Sequence, residues 1–428
     1  MEAQWVVIPL LQHLLLFDGD HLPPFDAILQ SLRSSLAATL ATHAPLAGKL
    51  HYLADTGDVA ICRSTGGGDD DDDDRGVRFV AAECDADARR LAGDEDHDVH
   101  TFERLVPELD MSLLPAPVLA VQATRLAGGG VALGVSVHHG VADGQSLWRF
   151  IEAWAAACRG DAPPAPPVFD RSRVSLPGGE ELARSILRNS HALLDRHQAR
   201  LPAGMQEDRL QFTRRTFTLD TNDTKRLKQR IVSLGEAHGA PLRRSPSSFV
   251  AVVALAWTCF VRGRGLAADD EDVFLFFFAD ARDRLDPPAG ADYFGACLTG
   301  CLVRLPAREL HGEGALATAA SAVQGAIEKM VEDPLGCRPG WEFFRFAGEP
   351  GLRLERFMNV SGSPGFRAYE VADFGWGRPR RTENIRMNHD GQLALMRARD
   401  GDGVQASVSM LQQKHVDAFK SEFLKLLG

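Results

Sequence analysis

From about Phe25 to Leu40, in FDAILQSLRSSLAATL, apolar side chains recur three and four positions apart, a spacing that predicts an amphipathic helix. Pro45, Gly48 and the following HYLAD predict a turn into a strand. Val118–Ala123 and Val131–His138 are rich in Val, Ala and Leu and flank Gly128, Gly129 and Gly130, so two paired strands are expected there. After Asp143, the residues Leu147, Phe150, Ile151, Trp154 and Ala155 return at helical spacing. The chain therefore reads strand, short loop, helix across 131–155, and loops of that kind often carry functional side chains.

Gly160–Asp170, GDAPPAPPVFD, is too rich in proline for a helix and predicts an extended connector. EELARSILRNSHALLDRH then reads as a helix and RRTFTLD as a strand, opening a second alternation of the two. VFLFFFAD, from Val273, is almost wholly apolar, the signature of a strand buried on both faces. Short strands are expected around Phe357–Val360, Tyr369–Val371 and Gln405–Met410, with an amphipathic helix near His415–Leu427. No repeat of fixed period runs through the chain.

A length of 428 residues exceeds what one hydrophobic core sustains, so two domains are expected. With 45% hydrophobic and 25% charged residues the chain has globular composition. Its formal charge of −11 argues against a nucleic-acid partner, which would require basic surface. Part of that charge is the run Asp69–Asp74, read as a solvated loop tip. Seven scattered cysteines form no disulfide framework, and Cys297 and Cys301 lack a second pair at zinc spacing, so no metal is expected. The opening MEAQWVVIPLLQHLLLF lacks a basic leader and a cleavage pattern, and no apolar run is long enough to span a bilayer; a cytoplasmic protein without a membrane partner is expected.

The segment VSVHHGVADG carries the clearest chemistry. An imidazole at the end of an apolar strand is held in place yet reachable, and neighbouring side chains point to opposite faces, so only one of His138 and His139 can face a given cleft. His139 is the candidate general base: an attacking hydroxyl must lose its proton as the new bond forms, and a neutral imidazole can take it. Asp143, at the start of the next helix, could cap exposed amides or pair with a distant arginine. Alone, such a pair of histidines beside a helix cap is more often packing than chemistry.

Three further segments stand out. In DFGWG, Asp373–Gly377, two glycines flank Trp376 and allow backbone conformations closed to other residues. ADARDRLDPP places Asp280, Arg282 and Arg284 directly after a buried strand, where an arginine could form a bidentate pair with a carboxylate such as Asp143. Arg243, Arg244, Ser247 and Ser248 stand at the start of a helix, a place that attracts anions.

Taken together, His139 and Asp143 with three residues between them, and DFGWG far downstream, resemble the signature motifs of the BAHD family of plant coenzyme A-dependent acyltransferases. PLAGKL at Pro45, PPVFDRS at Pro166 and SPSSFVAVVALAWTCFVR at Ser245 extend the resemblance over nearly the whole chain. YFGACLTGC and SGSPGFRAYEVADFGWGRPRR look most like the branch that acylates anthocyanins and phenolic glucosides, often with malonyl groups.

The resemblance implies an α/β fold of two chloramphenicol-acetyltransferase-like domains, each a mixed sheet with helices, with a solvent channel between them. Residues 1–165 would form the first domain, 166–205 a crossover connector and 206–428 the second domain, with a segment near 375–402 packing on the first. It implies direct transfer of an acyl group, malonyl foremost, from acyl-CoA to a hydroxyl of a phenolic or flavonoid glucoside. His139 would be the base and Asp143 its structural support through Arg282, with Asp373 counted among the family's catalytic residues. Arg243, Arg244, Ser247, Ser248, Arg282 and Trp376 would serve the substrate or coenzyme A. Acyl-CoA would be a co-substrate of a monomer with no permanent cofactor.

A malonyl donor would want a cation near the acyl end of the channel, for which Arg171 and Arg173 are candidates. Acetyl or hydroxycinnamoyl donors, an amine acceptor, and a catalytically silent binding protein are the competing readings. A serine hydrolase is disfavoured because no Gly-x-Ser-x-Gly elbow occurs. Met1–Asp20 matches the family's usual opening poorly, which predicts a shortened N-terminus, a missing first strand and an exposed sheet edge. Ala296 stands where this branch usually has Asn after Tyr-Phe-Gly.

Overall fold

A computed structural model of the chain describes residues 2–8, 10–19, 22–62, 76–93, 95–111, 114–194, 209–335, 351–387 and 389–428. The acidic run Asp69–Asp74 and the end of the connector, 195–205, lie outside them. In the first half, strands β1 (Leu11–Phe17), β2 (Lys49–Leu53), β3 (Asp58–Cys62), β4 (Arg78–Asp87), β5 (Ala116–Pro117), β6 (Leu119–Ala127) and β7 (Val131–Val137) alternate with helices α1 (Phe25–Thr42), α2 (Ala88–Gly93), α3 (Val99–Arg104) and α4 (Gly144–Arg159). After α5 (Gly179–Leu194), which falls within the expected connector, come β8 (Thr213–Leu219), α6 (Thr221–Ala237), α7 (Ser248–Gly263), β9 (Asp272–Asp280), β10 (Leu298–Pro306) and α8 (Ala315–Glu332). The chain closes with β11 (Phe357–Gly362), α9 (Ala368–Val371), β12 (Arg381–Asn384), β13 (Gln392–Arg397), β14 (Val404–Met410) and α10 (Gln413–Leu427).

Two mixed sheets organise these elements. The first has the order β12-β1-β7-β6-β4 and the second β10-β9-β11-β13-β14-β8, with a small β3-β2-β5 sheet beside the first. The chain thus returns late, through β12, to extend the first sheet before β13 rejoins the second. The β6–β7 hairpin turns on Gly128 and Gly129, both at positive φ, which a residue with a Cβ would adopt only with strain. Gly134 on β7 lets the Leu105–Val106 backbone approach closely, since a Cβ there would lie 2.3 Å from the Leu105 carbonyl oxygen.

Each sheet buries its own core. Leu133, Val135 and Val137 of β7 pack with Leu147, Ile151 and Trp154 of α4, while Leu275 and Phe277 of β9 pack with Val253, Trp257 and Phe260 of α7. Of the apolar run VFLFFFAD, Val273–Phe277 is buried as expected, whereas Phe278, Ala279 and Asp280 are partly exposed.

Two expectations fail. Met1–Asp20 supplies β1, which lies inside the first sheet, paired to β7 on one side and β12 on the other. A strand does form there, and its Leu14, Leu15, Leu16 and Phe17 are at most 2% exposed. An interior strand buried on both faces reads as an unbroken apolar run rather than an alternating one, and a short run of that kind carries no period. Tyr369–Val371 is one helical turn, α9, instead of a strand. It is held by tertiary contacts: the Tyr369 hydroxyl donates to Gln405 Oε1 (2.5 Å) and accepts from the Thr382 amide (3.2 Å).

Candidate active site

β7 stops at Val137, and the loop 138–143 leads into α4. The two histidines diverge there. His138 is 1% exposed, and its Nδ1 accepts a hydrogen bond from the Gly140 amide (3.0 Å). His139 faces a cavity of about 490 Å3. Burial lowers the His139 imidazole to about 4, while its own backbone carbonyl and the Asp143 carboxylate pull weakly the other way. The ring is therefore neutral at neutral pH and able to accept a proton. Its Nδ1 is buried without a hydrogen-bond partner among the described residues, the nearby backbone carbonyl lying outside bonding geometry. What faces the ring is the indole of Trp5, stacked with centroids 4.6 Å apart and an 18° interplanar angle. Trp5 is 1% exposed and edge-on to Phe278 of β9.

Asp143 points away from the cavity into a buried latch. Its carboxylate caps α4 by accepting from the Ser146 amide (2.9 Å), and it also accepts from the Cys297 amide (3.1 Å). Arg282, 1% exposed, donates to it twice, Nη1 to Oδ2 at 2.7 Å and Nη2 to Oδ1 at 3.0 Å. The guanidinium further donates to the Tyr293 carbonyl (3.1 Å), the Gly295 carbonyl (2.9 Å), Ser146 Oγ (3.0 Å) and Asp280 (3.1 Å). Burial would raise the Asp143 carboxyl, but the Arg282 charge and these hydrogen bonds outweigh it and hold it below its ordinary range. The latch ties the start of α4 to the segment after β9, fixing the loop that carries His139 between the two sheets.

Both halves wall the cavity: Ile8, Leu11, His139 and Trp148 from the first, Phe278, Leu298, Ser361 and Ala394 from the second. Arg284 and Arg386 are the arginines in its lining. Phe249, in the first turn of α7, also reaches it, so this helix N-terminus adjoins one end. Cys297 is no nucleophile, since burial pushes its thiol up to about 12. Among the described residues no group of three or more His, Cys, Asp or Glu side chains could hold a metal ion, and no helix is long and apolar enough to cross a membrane.

Other residues singled out from sequence fall elsewhere. Asp373 does not reach His139: its Oδ1 accepts from the Gly375 (2.9 Å) and Gly377 (3.0 Å) amides, holding the turn together. Trp376 stacks on Phe374 (5.7 Å) and meets Phe17 edge-on, outside the cavity lining. DFGWG thus anchors a turn to the first core, and neither Asp373 nor Trp376 lines the cavity that His139 faces. Arg282 is likewise absent from the lining, being consumed by Asp143. Arg171 is taken by Glu2 (2.7 Å) and the Phe294 carbonyl (2.7 Å), and Arg173 by Asp292 (3.1 Å) and the Ala289 carbonyl (3.0 Å). Neither lines the cavity as the expected cation. Arg243 and Arg244 are exposed ahead of α7, Arg243 pairing with Glu328 (3.2 Å), and Ser247 caps the helix by accepting from the Val250 amide (3.2 Å). Ser248 opens the helix.

Sequence reasoning missed His13, Asn359 and His389, which line the cavity, and Trp5, which stacks on His139; Arg284, noted there only for its place after the apolar strand, is also in the lining. Ala296 also gains a role: its amide donates to Glu2 Oε1 (3.1 Å), so the N-terminal segment closes over the position.

The sequence matches the Transferase family over residues 6–426. It is 32% identical over 432 residues to phenolic glucoside malonyltransferase 1 of Bemisia tabaci, covering 96% of this chain and 87% of that protein. It is 32% identical over 419 residues to malonyl-CoA:anthocyanidin 5-O-glucoside-6''-O-malonyltransferase of Arabidopsis thaliana, covering 94% and 88%. Among solved structures, vinorine synthase superposes with a TM-score of 0.70 at 20% identity, covering 99% of this chain and 92% of that one. TRI101 of F. sporotrichioides, complexed with coenzyme A and T-2, gives a TM-score of 0.69 at 16% identity, covering 99% and 96%. These two likenesses establish the shared two-domain fold.

Proposed function

We propose, from the premise that this chain belongs to the Transferase family and is one of its BAHD acyl-CoA-dependent acyltransferases, that it moves a malonyl group from malonyl-CoA to a hydroxyl of a phenolic or flavonoid glucoside. The observation that carries the mechanism is the neutral imidazole of His139 facing a cavity walled by both halves. In this reading His139 takes the acceptor proton as the oxygen attacks the thioester carbonyl. The tetrahedral oxyanion collapses, the carbon–sulfur bond breaks, and the thiolate recovers the proton from the imidazolium. Asp143 and Arg282 hold the loop without touching substrate.

Coenzyme A would enter from the α7 end, its phosphates meeting Arg243, Arg244 and the amides behind Ser247 and Ser248. Arg284, in the lining beside Asp280, is the cation we assign to the free carboxylate of the malonyl group. The enzyme would act as a cytoplasmic monomer with acyl-CoA as co-substrate.

The test is free-thiol release by purified protein with malonyl-, acetyl- and coumaroyl-CoA against phenolic glucosides and an amine, beside His139→Ala and Arg284→Gln. Malonyl-CoA with a glucoside should turn over best. His139→Ala should lose about 100-fold or more in kcat, and Arg284→Gln should raise KM for malonyl-CoA alone. Equal turnover by wild type and His139→Ala removes His139 from the mechanism; a preference for coumaroyl-CoA and the amine replaces the substrate assignment.

A further inference from the structure

The cavity has a second, chemically distinct end. We infer that it is a subsite for an uncharged, polyhydroxylated ring, a hexosyl group, walled by His13, Asn384, Asn359, Gln392 and His389. This rests on the acceptor class proposed above and names the residues that would select it.

Strand register brings the five together. His13 of β1 is the Cα partner of Asn384 of β12 in the first sheet, and Asn359 of β11 is the partner of Gln392 of β13 in the second. His389 lies in the connection from β12 to β13, where the chain passes from one sheet to the other. All five line the cavity. Leu11 pairs with Val137 at the His139 end, and His13 is two residues further along β1, roughly 7 Å away. Phe249 of α7, where the coenzyme is assigned, packs on Phe277 (5.3 Å), whose register partner Val360 directly follows Asn359, so the two regions of the cavity adjoin there and diverge towards Asp280 and Arg284 on one side and His389 on the other.

The chemistry of the wall favours neutral hydroxyls. Three of its polar atoms, His13 Nδ1, Asn359 Oδ1 and His389 Nε2, are buried with no hydrogen-bond partner among the described residues. A native fold seldom leaves such atoms idle unless a ligand or water meets them. Burial lowers both imidazoles to about 4, so each offers one donor or one acceptor without charge. The amides of Asn384 and Asn359 can each donate and accept, which matches the paired character of a sugar hydroxyl. Trp148 meets His13 edge-on at 5.0 Å and also lines the cavity, giving an apolar plane for the C–H face of a ring.

A cationic acceptor finds no partner in this wall. None of the five is a carboxylate; elsewhere in the lining Asp280 is paired with Arg282 (3.1 Å) and Arg386 is itself a cation, and the neighbouring Asp390 is paired with Arg264 and accepts from the Leu411 amide (3.1 Å). Glu383 is equally engaged, by Arg381 (2.8 Å), Ser407 (2.7 Å) and Thr216 (2.7 Å).

The experiment is calorimetric titration of the full chain with phenyl β-glucoside, benzyl alcohol and phenylethylamine, for wild type, His13→Leu and Asn359→Leu. Both variants remove a buried unpartnered polar atom, so their unfolding temperatures should not fall, which keeps the titration interpretable. If either is unstable, His389→Leu takes its place. Wild type should bind the glucoside at least 10-fold more tightly than benzyl alcohol, and that preference should drop to about 3-fold or less in the variants. A wild type without preference, a preference that survives in the variants, or tighter binding of the amine overturns the inference. Acyl transfer is read separately by thiol release, so a failed titration and a failed acyltransferase assignment remain distinguishable.

Discussion

Truncating Asp143 to alanine should cost about 3–4 kcal/mol of stability. The carboxylate is fully buried and accepts four hydrogen bonds, two from Arg282 and one each from the Ser146 and Cys297 amides. Removing one partner of a buried ion pair costs about 3–5 kcal/mol, because the other charge is left uncompensated. Loss of the helix cap adds about 1 kcal/mol when measured alone. Two features reduce the sum: cap and pair share the same oxygens, and Asp280, with its side chain 37% exposed, stays within 3.1 Å of the guanidinium. Urea unfolding of Asp143→Ala, Arg282→Met and the Asp143→Ala/Arg282→Met double variant measures the term directly. The coupling should be about 1–3 kcal/mol, with the double variant less destabilised than the sum of the singles. A loss under about 1 kcal/mol for Asp143→Ala, the size expected of an exposed pair, would refute the claim that this latch holds the His139 loop.

Three other outcomes are expected. Trp5→Leu should lower kcat about 10- to 100-fold by freeing the His139 ring, with KM little changed and Trp5→Phe restoring most of the rate; an unchanged kcat would show that the stacked indole does not orient the base. Burial lowers His13, His138, His139 and His389 to about 4 and His97 to about 3, against about 6.5 in an unfolded chain. The unfolded state therefore binds more protons between these values, so stability should fall as pH drops from about 6.5 towards 4 and level off above 7. The acid limb of kcat/KM, read by brief pH jumps, should lie nearer 4 than 6.5; a limb at 6.5 would mean that the base is solvated. Gly134→Ala should cost about 1–3 kcal/mol or more, since the new Cβ would meet Leu105 O at 2.3 Å and Val106 Cα at 2.7 Å, backbone atoms that cannot swing aside. Gly325→Ala in α8, with nothing within 4 Å, should instead stabilise by up to about 1 kcal/mol; melting curves of the two separate close packing from helix propensity.

The amino-acid order alone determined what depends on near neighbours. Helical spacing gave α1 and α4, the glycine run between two Val-rich segments gave the β6–β7 hairpin, and the unbroken apolar run gave β9 as a buried strand. Apolar strand, His-His, then Asp at a helix start was enough to single out His139 and to suggest an arginine partner for Asp143, because strand alternation and helix capping act within a few residues. Tertiary structure decided what distant segments share. Only folding places Trp5 on His139, Arg282 139 residues away from Asp143, and β12 back beside β1. It also separates similar arginines: each of Arg171, Arg173, Arg282 and Arg284 meets a nearby acceptor, but of the four only Arg284, which donates to the Asp280 carbonyl, is in the cavity lining. The physical reason is that a side chain's chemistry follows from which groups and how much solvent surround it. For these residues that shell comes from chain segments a hundred or more positions away, and no local period records it.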